Sequence, residues 1–106
     1  MKLSEAIRIG AKMHPQGFDR YISVDDHGQL VTCALGAAAQ ARGILDVGDL
    51  CSAFPILNQL ASPHSGLTVF RHIQRLNDFK HWTRERIADC VEEREKKLSE
   101  LAARAS

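Results

Sequence analysis

The last third of the chain, LNDFKHWTRERIADCVEEREKKLSELAARA from Leu76 to Ala105, narrows the choice of fold most. It holds the only tryptophan and the longest helical pattern that neither glycine nor proline interrupts. Thr83 is placed to cap a helix, since its hydroxyl can accept from an N–H that the first turn leaves unpaired, and Glu85 sets a carboxylate at the positive end of the dipole. Ile87, Val91, Leu98 and Leu101 follow at spacings that form a stripe on one face, broken by Arg94 and extended by Ala105. The other face is charged: Glu92 with Lys96, Glu93 with Lys97 and Glu100 with Arg104 stand one turn apart in the favourable order. The pattern predicts a long C-terminal helix over about residues 83–104.

The segments before it are short and need a surface to pack on. Ser4 is read as the cap of a first helix whose Ala6, Ile7, Gly10 and Ala11 make a small-residue face, ended by His14, Pro15 and Gly17. Tyr21, Ile22 and Val24, then Asp25 to Gly28, then Leu30 and Val31 predict one short β-hairpin over about 21–31. Thr32 is read as the cap of a second alanine-rich helix from Cys33 to about Arg42, with Gly43 in the terminating position. Two faces of small residues can approach closely, so these helices are expected to pair. Asp46 or Asp49 is expected to cap a turn through Phe54, Pro55 to open a short helix to Ala61, and Thr68 to cap a helix carrying Val69, Ile73 and Leu76. Residues 77–82 are expected to link that helix to the last one. The fold class is therefore mainly α: a small helical bundle forming a single domain over residues 1–106.

A chain of 106 residues supports one modest core. Its net charge of +1 sets up no field that would draw the whole molecule to nucleic acid or anionic lipid, so any such binding requires a local patch. The longest apolar run, CALGAAA from Cys33 to Ala39, falls far short of a membrane span, and a cytoplasmic protein with no membrane partner is expected. Cys33, Cys51 and Cys90 are odd in number and widely spaced, as reduced thiols in small core sites would be.

Three constellations bear on chemistry. Arg71, His72, Arg75, Lys80, His81, Arg84 and Arg86 crowd the stretch 71–86, with Phe79 and Trp82 between them. Cations that hold phosphates beside rings that stack on bases are the footprint of a nucleic-acid surface. From this stretch the candidate binding residues are Arg71, Arg75, Lys80, Trp82, Arg84 and Arg86. Against that reading, the six basic residues from Arg84 onward meet six acidic ones, and the connection before them is too long for a helix-turn-helix turn. Cys33, directly after a predicted cap, is the one candidate for an activated thiol, because a helix N-terminus lowers a thiol pKa. The histidines are scattered and no C-x₂₋₄-C or H-x₃₋₅-H pair occurs, so neither a metal nor a cofactor is expected. Val91, Arg94, Leu98 and Leu101 form a candidate association face at near-heptad spacing, which suits docking on the domain itself or a homodimer.

KLSEAIRIGA, CALGAAA, and LND followed by WTRERIADCVEE together resemble an uncharacterised family of small phage- and prophage-type bacterial proteins. Some members carry a C-x-x-C pair before a histidine-containing LND segment, which implies zinc; here no such pair exists, and Arg75 directly precedes LND. The resemblance implies a phage or prophage setting, in which small proteins bind and inhibit or redirect a host protein such as a defence nuclease complex. The expectation is thus a non-enzymatic interaction module with a protein partner, and the alternative is a nucleic-acid-binding accessory protein using residues 71–86.

Overall fold

The computed structural model describes residues 1–105. Five α-helices and one hairpin follow in the order α1 (Leu3–Ala11), β1 (Ile22–Val24), β2 (Leu30–Thr32), α2 (Ala34–Arg42), α3 (Leu50–Ala53), α4 (Val69–Asp78) and α5 (Arg84–Ala105). Short 3₁₀ turns at Val47–Asp49 and Pro55–Asn58 flank α3. The mainly helical bundle, the hairpin and the long last helix agree with the sequence reading.

The closest helix pair is α1 with α2. A methyl group built on Gly10 would lie 1.8 Å from the carbonyl oxygen of Ala37, so the two backbones touch where no side chain fits. Gly43 ends α2 in the left-handed region, φ 68°, and its N–H donates to Gln40 O while that of Ile44 donates to Ala39 O, the pair of bonds that closes a Schellman end. The start of α2 departs from expectation. Cys33, not Thr32, holds the cap position, its Sγ accepting from the N–H of Gly36 at 3.4 Å. Thr32 remains in β2 and is fully buried.

The start of α1 departs in a similar way. Ser4 lies inside the first turn rather than before it, and its hydroxyl and backbone N–H both donate to the carboxylate of Glu95 on α5. An acidic side chain from a distant helix thus does the work expected of a local hydroxyl, at the dipole end that favours it. Arg8 binds Asp89 and Glu92 of α5, each at 2.8 Å, so α1 and α5 run antiparallel.

A lone two-stranded hairpin is marginal. Here the Pro15–Gly17 segment lies along the free edge of β2: the N–H of Thr32 donates to Pro15 O, and that of Gly17 to Thr32 O, both at 2.9 Å. Asp25 Oδ1 accepts the N–H groups of His27 and Gln29 across the turn, where Gly28 takes φ 76°. In the second half, the helix expected from Ile56 to Ala61 stops at Asn58. Gln59 to Ala61 run extended instead, and pair with Leu67 to Val69 through the N–H groups of Ala61 and Val69, which closes the Ser62–Gly66 loop. Thr68 caps α4 and Thr83 caps α5, as read from the sequence, each hydroxyl accepting an N–H at 3.2 Å.

Ile87, Ala88 and Val91 of α5 are buried against the other helices in one core with Leu3, Ile7, Leu35, Leu50, Leu57 and Ile73. Past Glu95 the helix outruns α1, and the molecule measures 51 × 26 × 21 Å. Leu98 is half-buried and Leu101 is 43% exposed. No helix among the described residues is long and apolar enough to cross a membrane.

Candidate interaction surface at the α4–α5 corner

Helix α4 continues two residues further than expected, so Asn77 and Asp78 belong to it, and the connection to α5 is Phe79 to Thr83. Asn77 is only 1% exposed. Its Nδ2 donates to Gly17 O at 3.0 Å and to Asp78 Oδ1 at 2.8 Å, while its Oδ1 accepts from Gln16 Nε2 at 2.8 Å and from the N–H of Ala34 at 3.2 Å. The carboxamide thereby joins α4, the start of α2 and the segment before β1. Gln16 Nε2 also donates to Trp82 O at 2.7 Å, which fixes the far end of the connection.

The connection is held by backbone bonds as well. Arg75 O accepts the N–H groups of Phe79 and Lys80, and Leu76 O accepts that of Trp82 at 2.9 Å. His81 takes φ 52°, a left-handed conformation seldom adopted by non-glycine residues, to complete the tight path. The connection thus carries its rings on a firm support. Phe79 is 80% exposed, Phe18 is 40% exposed and lies 4.4 Å, centroid to centroid, from the ring of His81, and the guanidinium of Arg86 stands 3.7 Å above the half-buried ring of Trp82.

Arg71, Arg75 and Lys80 project from this region into solvent. Among the described residues the side-chain ion pairs are those of Arg8 with Asp89 and Glu92 and of Lys96 with Glu92. Arg71, Arg75, Lys80 and Arg86 therefore have no carboxylate within ion-pair distance. Arg84, by contrast, does not belong to the surface. It is 5% exposed, its Nη1 donating to Thr32 Oγ1 at 2.8 Å and to Thr32 O at 3.3 Å, and its Nη2 to Ala11 O at 3.1 Å. Ala11 ends α1, so this cation lies against the negative end of that helix dipole, and burial lowers its pKa from the usual arginine range. The first residue of α5 is a tie between α1, β2 and α5. Its Nε is buried and makes no hydrogen bond.

The candidate association face is divided too. Val91 is in the core, and Arg94 Nε donates to Leu60 O at 3.0 Å, so both are engaged within the domain and only Leu98 and Leu101 remain open to another chain. The thiol candidate Cys33 is 6% exposed, and burial pushes its pKa up, overriding the lowering that its helix-terminal position was expected to produce. Cys90 Sγ lies 4.0 Å from His72 Nε2 in a small groove with Val69, Ile73 and Arg94; burial raises the thiol and lowers the imidazole, so both favour their neutral forms. No group of three or more His, Cys, Asp or Glu side chains suited to a metal ion occurs among the described residues.

Sequence reasoning missed Phe18 and undervalued Phe79 and His81, and it missed the Asn77 hub altogether. The available signal for Phe79 was an aromatic residue between two charged ones, Asp78 and Lys80, past the end of the predicted helix. No protein-family model, curated protein or solved structure matches this chain.

Proposed function

We propose that this chain is a non-enzymatic interaction module that binds and modulates another protein through the α4–α5 corner. The observation that carries the reading is the large ring of Phe79, 80% exposed, on a connection pinned by the bonds to Arg75 O, Leu76 O and Trp82 O. A rigid support lowers the ordering cost of association, and aromatic and arginine side chains supply most of the energy at protein interfaces. The phage or prophage setting implied by the sequence resemblance makes a host protein the partner.

The four cations without ion pairs favour a second reading, a nucleic-acid-binding accessory protein. Two of the rings, however, are already occupied: Arg86 covers a face of Trp82, and His81 packs on Phe18. A single-strand groove needs several free stacking faces, which leaves Phe79 as the principal one.

A photo-crosslinking phenylalanine analogue at position 79, used in lysate of a bacterial host, tests the first reading. A discrete protein adduct that an excess of unlabelled chain suppresses, and that excess Phe79→Ala chain does not, is the expected result. Adducts equally suppressed by both would refute a role for the corner.

A further inference from the structure

The chemistry of the partner follows from which charges the corner leaves uncompensated, an inference that rests on the reading above. Arg71, Arg75 and Phe79 stand at successive turns of α4 and its first following residue, all exposed, over about 12 Å of helix axis. Lys80 follows Phe79 directly in the chain, and Arg86, in the first turn of α5, lies over the ring of Trp82. On the α1 side of α5 the arrangement is the reverse: Arg8 takes both Asp89 and Glu92, and Lys96 takes Glu92 as well. Among the described residues, ion pairs thus form on the α1 side of α5, whereas at the other side Arg71, Arg75, Lys80 and Arg86 make none and outnumber Asp19 and Asp78, the neighbouring carboxylates, which make none either. Arg71 also borders a cleft of about 400 Å³ whose lining mixes polar side chains, Asn58, Thr68 and Gln74, with Leu57 and Phe70.

We infer that the outer row of α4 receives an acidic segment of another protein, one whose carboxylates meet Arg71 and Arg75 and whose aromatic or aliphatic side chain lies against Phe79. Charge complementarity selects the segment, since a basic one would face Arg71, Arg75 and Lys80, none of them in an ion pair among the described residues. The ring supplies the desolvated anchor, and the guanidinium groups supply paired hydrogen bonds to carboxylates.

The test uses the full chain and a phage-displayed library of random peptides about 16 residues long, enough for more than four helical turns. Selection on the native chain, with counter-selection on Phe79→Ala, is expected to enrich peptides with more Asp and Glu than Lys and Arg and with one large apolar residue. The synthetic form of the most enriched peptide is expected to lose about tenfold in affinity with the Arg71→Ala/Arg75→Ala double variant, and about tenfold with Phe79→Ala. Replacing its Glu by Gln should reproduce the first loss.

Enriched peptides that are neutral or basic, or that bind the double arginine variant unchanged, overturn the acidic partner while leaving a Phe79-dependent corner intact. Absence of any peptide that distinguishes native chain from Phe79→Ala removes the corner itself. An oligothymidylate of about 16 nucleotides, tested in parallel, overturns the inference in a third way if it binds more tightly than the peptide and depends on the same two arginines.

Discussion

The carboxamide of Asn77 holds three separate parts of the chain by both of its ends, and no isosteric apolar group can stand in for it. Asn77→Ala leaves Gly17 O, the N–H of Ala34 and one Gln16 donor bond without their partner at a buried position, and is expected to cost about 2–4 kcal/mol by chemical denaturation. Asn77→Asp keeps the acceptor and loses the donor, and places a charge beside Asp78; it is expected to destabilise more at neutral pH than near pH 3. At Cys33 the outcome is kinetic. With its thiol capping α2 and its pKa raised by burial, alkylation near pH 8, followed by mass spectrometry, is expected to modify it after Cys51 and Cys90, both more exposed. Labelling of Cys33 first would reopen the thiol chemistry. His72 titrates with a defined sign. Burial, and then the nearby Arg75, depress its folded pKa, so the contribution it makes is present above the unfolded value of about 6.5 and is lost as pH falls through the lower folded value. The denaturation midpoint should therefore drop on acidification below about pH 6.5, and His72→Gln should reduce that drop.

Helix α5 divides into a half that supports the domain and a half that does not. Ile87→Ala removes a fully buried side chain and is expected to cost about 2–4 kcal/mol, whereas ending the chain after Lys97 removes no buried side chain among the described residues, Leu98 being half-buried and Leu101 exposed, and should cost under about 1 kcal/mol. A large loss of stability on truncation would show that the terminal turns pack more tightly than their exposure indicates. This division also marks where sequence reading works. Period and caps depend on neighbours a few residues away, so the long helix, the caps at Thr68 and Thr83 and the Gly43 terminus were all legible. The hydroxyl of Ser4 was misread because its partner, Glu95, lies 91 residues further along. Arg84 was misread for the same reason: a cation in a basic run reads as surface, and the carbonyls that bury it are 52 and 73 residues away. Within the candidate site, composition marked the stretch 71–86, in which Arg71, Arg75 and Lys80 are exposed along α4 and just after it, Arg86 stacks on Trp82, and Arg84 is buried. Which rings stand out from it is set by the Asn77 and Gln16 bonds, and those follow from tertiary contacts that no local pattern encodes.

At the scale of the whole molecule, the projecting end of α5 is too small a surface to join two copies. The turns beyond Glu95 reach about 15 Å past their last tie to α1 and offer Leu98, Leu101 and small alanines as an apolar face. Pairing two such ends buries on the order of a few hundred Å², well below the roughly 1,200 Å² at which stable association begins. Charge works in the same direction. An antiparallel pair that sets Leu98 of one copy against Leu101 of the other brings Lys97 alongside Arg104, and a parallel pair sets Lys97 beside Ala102, so neither gains an ion pair. Sedimentation equilibrium is therefore expected to give the 11.8 kDa monomer up to about 100 μM, with no change on Leu98→Glu. A dimer mass at that concentration, dispersed by Leu98→Glu, would show that the overhang is an interface after all. Monomeric behaviour together with an intact Phe79-dependent adduct would place recognition at the opposite end of α5, where the rings and the unmatched cations are.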